Sequence, residues 1–349
     1  MKPYTIVAPD QSDPRVPGVA PLQRFLEAYE PGRTHVLQAA ELDSGPEHDT
    51  DTLLIALPSA LTPQRLTRLR ARHVALFDFF DAPAPAWLDS DQALLRDAAP
   101  LLLKTTVVDG LDVGLDVGVL PMPLSPKLGQ TLRARRALAP WFAARRLARG
   151  GRRRWDLALQ GSATYEDGVG PDGRPRRYHQ RIDWLREVRA RPDWRFWGGL
   201  YPLPYCPIEQ IEADCGPVRA LLDKASRLRI HEFFDRMADT RVALAPMGHT
   251  RWTYRHIEAV YAGCEVVSGD LRGVHTLPTL PTAQMTLVPD RAPIAPAVDE
   301  ALARWGERAE RRAAARERLE SQLHLGRWSR TRTEPYERFR QALARAAVG

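Results

Sequence analysis

The chain has 349 residues, 44% of them hydrophobic, and a formal net charge of +7. That is enough apolar material for two domains rather than one. No run of about 18 uncharged apolar residues occurs, which excludes a transmembrane helix, and "MKPYTIVAPDQ" is too short in its apolar part for a secretory leader.

Cys206, Cys215 and Cys264 show no CxxC spacing, so neither a disulfide framework nor a structural zinc site is expected, and a cytoplasmic location follows. The positive charge is local. Nine arginines (Arg133, Arg135, Arg136, Arg145, Arg146, Arg149, Arg152, Arg153 and Arg154) lie between Gln130 and Trp155 with no acid among them. Without them, 41 Lys and Arg stand against 43 Asp and Glu. Such a block suits phosphate, an acidic partner or an anionic membrane face, or is a solvated helix face.

In chain order, "YTIVAP" (4–9) reads as a strand, "PLQRFLEAYE" as a helix and "THVLQAA" as a strand. "TLLIAL" (52–57) is a strand, and the leucine spacing of "LTPQRLTRLRARH" predicts a helix. "HVALFDFFD" (73–81) and "LLLKTTVV" (101–108) are strands. "GVLPMPLSPKLG" (118–129) is proline-rich and irregular, and the arginine block follows. The alternation then restarts: "WDLALQGSATYEDG" is a strand entering a glycine loop, "RRYHQRIDWLREVRAR" a helix and "WRFWGGLY" a strand. "IHEFFDRMADT" is a helix, and "RVALAP", "CEVVSGD" and "QMTLVPD" are strands. From about residue 296 the tail is helical, with a last helix starting near Thr333 and Pro335.

Strands alternating with helices of this length indicate an α/β protein with mostly parallel sheets. The expected architecture is two Rossmann-like, doubly wound domains facing a cleft, with a C-terminal helix crossing back. The expected boundaries are 1–125 for an acceptor-binding domain, 126–154 for an arginine-rich linker, 155–325 for a donor-binding domain and 326–349 for the returning helix.

The most informative stretch is "TRVALAPMGHTRWTYRHIEAVYAGC" (240–264). A strand ends at Pro246, a glycine loop with Gly248, His249 and Thr250 follows, and a helix carries Tyr254, Arg255 and Glu258 to Gly263. Gly248 permits unusual backbone and close approach of a ligand, and Thr250 or Thr253 can cap the helix. The helix start attracts anions, and Arg251 and Arg255 add bidentate phosphate geometry. Glu258 shares a face with Tyr254 and Arg255, placed to accept from a ribose diol. Trp252 could stack on a base or sugar. His249 and His256 flank the loop, His256 reading as a solvated loop residue. Tyr165 and Glu166 could line the same site, and Cys264 reads as a small buried hydrophobe.

This segment resembles the donor-binding segment of exostosin-like, GT-B-type glycosyltransferases. The matching residues are Pro246, Gly248, Arg255, Glu258, Ala259, Ala262, Gly263 and Cys264, and "WDLALQGSAT" resembles the strand and glycine loop that open the donor domain. The likeness covers roughly 155–275. It implies that Glu258 holds the ribose of a nucleotide sugar, that Arg255 contacts the diphosphate, and that Gly161 and Ser162 lie near the phosphates. One departure is Glu265 after Cys264, where the family has a hydrophobe and a proline.

The function expected is transfer of a sugar from a nucleoside-diphosphate sugar to an acceptor hydroxyl. The second half has no DxD-like pair at a strand end, so the reaction is expected to need neither metal nor cofactor, the resemblance leaning towards inversion. The general base is expected among Asp78 and Asp81, which follow a strand and should face the cleft, and Asp10. The acceptor is left as a glycan, a lipid-linked glycan or a nucleic acid, with peripheral contact at the inner membrane face suggested by the arginine block. The alternative is a nucleic-acid-associated protein using Arg133 to Arg154 on phosphates. No Gly-x-Ser-x-Gly elbow, HExxH or Walker A motif is present.

Overall fold

Strands whose successive residues are all apolar must be covered on both faces, and the first half folds accordingly. A computed structural model describes residues 2–8, 19–56, 63–78, 101–111, 114–121, 153–162, 166–169, 175–178, 180–202, 208–223, 228–248, 251–324 and 327–345. The chain divides into two units. The first comprises Met1–Ser125, Gly273–Thr279 and Ser321–Gly349, and the second Pro126–Arg272 and Leu280–Glu320.

The first unit contains β1 (Lys2–Ala8), α1 (Ala20–Tyr29), β2 (Thr34–Gln38), β3 (His48–Ala56), α2 (Pro63–Leu66), β4 (Leu69–Asp78), β5 (Leu101–Lys104), the short β6 (Val107–Val108) and β7 (Asp116–Val119). Its sheet is parallel throughout, in the order β2-β1-β3-β4-β5-β7. The two faces alternate residue by residue. Tyr4, Ile6, Leu54, Phe77 and Leu103 pack with Leu22, Phe25 and Leu26 of α1, whereas Val7, Leu53, Ile55, Leu76 and Leu102 pack on the other side with Leu37 and Leu42.

The segment expected to be helical before β4 is helical only over Pro63–Leu66. From Leu69 to Arg72 its period is two: Arg70 and Arg72 are exposed while Leu69 and Ala71 pack inward. Pairing of β4 with β3 over eight register positions outweighs the helical leucine spacing. The stretch expected to be irregular likewise begins with β7.

The second unit contains β8 (Trp155–Ser162), a hairpin of β9 (Glu166–Val169) and β10 (Pro175–Tyr178), α3 (Gln180–Arg189), β11 (Phe196–Tyr201), α4 (Ile208–Cys215), α5 (Ile230–Ala238), β12 (Thr240–Ala245), α6 (Tyr254–Ala262), β13 (Glu265–Gly269), then, after β14 (Val274–His275) of the first unit, β15 (Thr286–Val288), α7 (Ala295–Ala303) and α8 (Ala309–Glu320). The parallel sheet runs β11-β8-β12-β13-β15. Its core gathers Leu157, Leu159, Trp184, Leu185, Leu244 and Val267 with Val298 and Ala301 of α7.

After the ribbon of β16 (Leu323–His324) and β17 (Arg327–Trp328), α9 (Glu334–Arg345) belongs to the first unit. Its Phe339 and Leu343 sit in the core with Phe25, its Tyr336 ring stacks on Tyr29 at 5.1 Å, and Tyr336 and Tyr4 hydroxyls meet at 2.6 Å. Gly118 of β7 lets α9 close in: a Cβ there would stand 2.9 Å from Leu103 Cδ2 and 3.2 Å from Ala342 Cβ. Both units are Rossmann-like. Among the described residues no helix is long and apolar enough to cross a membrane.

Candidate functional site

In the second unit the strands lie in the order second, first, third, fourth, fifth along the chain, so the topology switches between β8 and β12. Ligands of doubly wound sheets bind beyond the carboxyl ends of the strands at such a switch. Gly161 and Ser162 end β8 there, and Met247 and Gly248 follow β12.

The helix that follows, α6, is fixed at both ends. Thr253 precedes it in extended conformation, and the Thr253 N–H donates to His256 Nδ1 at 3.0 Å. His256 Nε2 lies 2.8 Å from Ser268 Oγ, and that hydroxyl donates to Gly269 O. Nδ1 also lies 2.9 Å from Thr253 O, so both ring nitrogens are engaged and the surroundings accommodate either neutral tautomer. His256 is fully buried, and burial pushes its pKa down to about 4, assisted by the neighbouring Arg255 charge and opposed by the Thr253 backbone contact. The reading of His256 as a solvated loop residue is therefore corrected: it is the neutral third residue of α6 and pins its first turn to β13. Gly263 ends the helix in the left-handed region at φ 74°, which favours glycine. Cys264 is buried, its thiol 3.1 Å from Met237 O.

Arg255 turns inward. Its Nη1 donates to Glu258 Oε2 at 2.7 Å and its Nη2 to Gln160 O of β8 at 2.6 Å, with the guanidinium 4.4 Å over the Phe233 ring. Arg255 thus ties α6 to β8 and holds one oxygen of Glu258. Burial pushes the Glu258 carboxyl above its ordinary value of 4.5, and the Arg255 charge pulls it back. Tyr254, one turn before Glu258, is exposed, whereas Trp252 is buried and braces the Tyr254 ring edge-on at 5.5 Å. Trp252 has no exposed face for a base or sugar to stack on. Arg251 reaches Asp270 O at 3.3 Å and the Asp290 carboxylate at 3.6 Å.

Gly248 lies outside the left-handed region, so its glycine answers to space. A Cβ there would stand 2.1 Å from Nη2 of Arg181, the second residue of α3. Arg181 Nε donates to Met247 O at 3.1 Å, and its Nη1 to Ser162 O and Oγ at 2.8 Å each. Beside it Gln180 is buried, its Oε1 accepting the Met247 N–H at 2.7 Å. Sequence reasoning missed both residues. The available signal was their place at the start of the first helix after β8, which a doubly wound fold brings back to the strand ends.

The departure at Glu265 also has a cause. It is fully buried and pairs with Arg308 at 3.1 Å and Arg311 at 3.6 Å, both from the segment around α8. A hydrophobe there would leave Arg308, itself buried, without that partner.

In the first unit Asp78 is not open to an acceptor. It ends β4 opposite Lys104 in register, both side chains are fully buried, and they pair at 2.6 Å. A buried carboxylate needs such a counter-charge. Asp10, Asp81, Tyr165, His249 and Thr250 lie outside the described residues, and Glu166 begins the β9 hairpin. Of the arginine block only Arg153 and Arg154 are described. Arg153 donates to Ala238 O at 2.6 Å, Thr240 O at 3.0 Å and Gly263 O at 3.2 Å, a cation at the carboxyl ends of α5 and α6. The Arg154 guanidinium lies 5.0 Å over the Trp155 ring. These two are engaged within the second unit.

No known family model matches the chain, and no curated protein matches it in sequence. Solved structures do match it. The N-terminal domain of Candida albicans trehalose-6-phosphate phosphatase aligns over 99% of this chain and 97% of its own, with a TM-score of 0.60 and 11% identity. An E. coli trehalose-6-phosphate structure bound with UDP-2-fluoro glucose aligns over 97% and 98%, at 0.55 and 12%. Anabaena HepE in complex with UDP aligns over 99% and 100%, at 0.52 and 12%. The likeness is one of fold. Two Rossmann-like units in one chain place it in the GT-B class of folds.

Proposed function

We propose that this chain is a glycosyltransferase that moves a sugar from a nucleoside-diphosphate sugar to an acceptor hydroxyl, by inversion and without a metal ion. The observation that carries the proposal is Glu258. Its carboxylate sits one turn inside the helix that starts beyond β12, beside the switch point, with one oxygen held by Arg255. A carboxylate fixed in this way can accept from the vicinal hydroxyls of a ribose, while the start of α6 faces the diphosphate. The exostosin-like pattern around Glu258 supports the same reading, as does the fold shared with structures that hold UDP or UDP-2-fluoro glucose.

Departure of the nucleoside diphosphate would be favoured by positive helix termini and guanidinium groups aimed at the charge that develops on it. The base that accepts the acceptor proton would come from Asp10 or Asp81, since Asp78 is committed to Lys104. The test is calorimetric titration of the full chain with UDP, GDP, ADP, dTDP and CDP, repeated on Glu258→Ala. One nucleotide should bind well, and the variant should bind it roughly 10-fold or more weakly, as expected for loss of charged hydrogen bonds. A wild type that binds none of the five would end the proposal.

A further inference from the structure

We infer that the amino-terminal edge of the second unit's sheet is a docking surface for an anionic lipid bilayer. This does not depend on the transferase reading, because the nucleotide site lies at the opposite ends of the same strands. Arg154 precedes the first residue of β8, and Gly161 and Ser162 close that strand, roughly 20–25 Å away.

At this edge guanidinium groups lie over aromatic rings, one element after another. Arg154 covers Trp155 at the start of β8, at 5.0 Å. Arg189, the last residue of α3, covers Phe196 at the start of β11, at 5.4 Å. Arg236, in the last turn of α5, lies 5.8 Å from Trp197, the next residue of β11. Consecutive strand residues point to opposite faces, so these two pairs flank the sheet end on both sides. Arg153 and Arg312 both approach Trp305, at 5.3 and 3.1 Å.

The acids here are matched. Asp156 is held by Arg195 at 2.8 Å and faces Arg241 at 3.4 Å, Asp193 pairs with Arg191 at 2.8 Å, and Asp239 is engaged as well. Arg154, Arg189 and Arg236 are exposed and have no carboxylate partner among the described residues. Three such cations around one sheet end create a local positive potential. The sequence reinforces it. Seven arginines between positions 133 and 152, with no acid among them, lead directly into Arg153.

Charge alone would also suit a nucleic acid, and the rings decide between the two. Single strands bind by stacking bases on bare aromatic faces, whereas here Trp155, Phe196 and Trp305 carry guanidinium groups. A duplex would use the charge and leave the rings idle. These three rings are half-buried. An apolar body under a charged outer layer matches the boundary between lipid headgroups and acyl chains.

The test is co-sedimentation of the full chain with vesicles of equal parts phosphatidylcholine and phosphatidylglycerol, with phosphatidylcholine alone as the control. The chain should sediment with the first and not with the second, and rising salt should release it. Neutralising one arginine should weaken binding about 5-fold, and Arg154→Gln, Arg189→Gln and Arg236→Gln together about 100-fold. The same three changed to lysine keep the charge and lose the planar stack. They should bind within about 3-fold of the wild type. Arg154→Gln alone removes a contact to Trp155 only, so it should give its single step without moving the melting temperature. A glutamine triple variant that binds vesicles like the wild type would overturn the inference, and so would a wild type that ignores the charged vesicles. A lysine triple that loses as much as the glutamine triple would make ring packing, not charge, decisive and would overturn it too. An oligonucleotide bound more tightly than the charged vesicles, and released by the same glutamine changes, would make the edge a nucleic-acid surface instead.

Discussion

Acidification should unfasten the helix that carries Glu258. The perturbation is protonation of His256. In the folded chain the ring is fully buried between Thr253 and Ser268, so a proton there would be a charge without water around it. It would also place a cation in the first turn of α6, where the helix dipole disfavours one. A pKa lowered from 6.5 to about 4 corresponds to about 3 kcal/mol of stability. The sign follows from proton binding. The unfolded chain binds this proton more tightly, so the contribution is complete above pH 6.5, shrinks as the pH falls, and is gone near pH 4. The assay is urea unfolding of the wild type and His256→Gln between pH 7.5 and 4.5, with the imidazole resonances followed by NMR. At pH 7.5 the variant should be less stable by about 1–2 kcal/mol for its lost hydrogen bonds. At pH 4.5 the difference should have shifted by about 2–3 kcal/mol in favour of the variant, leaving it equal to or more stable than the wild type, because glutamine has nothing to titrate. An imidazole that titrates near 6.5, or a gap that stays constant with pH, would refute this account.

Other outcomes can be checked with the same protein. Arg153→Met removes a cation from the ends of α5 and α6 and should lower stability by about 2 kcal/mol in urea unfolding, with nucleotide affinity unchanged. Lys104→Met leaves Asp78 buried without its partner and should cost about 3–5 kcal/mol, whereas the double change Asp78→Leu with Lys104→Met should recover most of it; a single-variant loss below about 1 kcal/mol would count against the buried pair. Gly118→Val should wedge β7 away from α9, cost about 1–3 kcal/mol and expose residues 334–345 to limited proteolysis. Nucleotide binding should weaken on acidification beginning above pH 4.5, the ordinary value for glutamate, because burial raises the carboxyl of Glu258; Glu258→Gln should flatten that profile.

What the sequence made legible was local. Arg255 and Glu258 are one helical turn apart, so their pairing follows from spacing alone. The two parallel sheets follow from strands and helices taking turns along the chain. Before β4 two periods competed: Leu66 and Leu69 fit a helix, while Arg70 and Arg72 alternate with inward residues, and only the neighbouring strand decides. His256 looked exposed because a histidine three residues into a helix carries no sign of the serine waiting on β13. Arg153 looked like one member of a basic block, and the carbonyls it serves lie 85 to 110 residues further on. Arg181 was invisible for the same reason, since Met247 is 66 residues away and the clue at Gly248 was read as room for a ligand. Side-chain roles that depend on one close partner were readable, and those assembled by the crossing of distant strand ends were not.

The first unit is built from segments far apart in sequence, and this sets an order for its making. Phe25 and Tyr4 leave the ribosome early, yet Trp328, Tyr336 and Phe339, which cover them, follow some 300 residues later. At about 5–20 residues per second the interval is roughly 15–60 s. Meanwhile all of the second unit, which ends at Glu320, has been made. The half that begins first is therefore finished last. Its open sheet must be kept from other nascent chains until the final helix arrives.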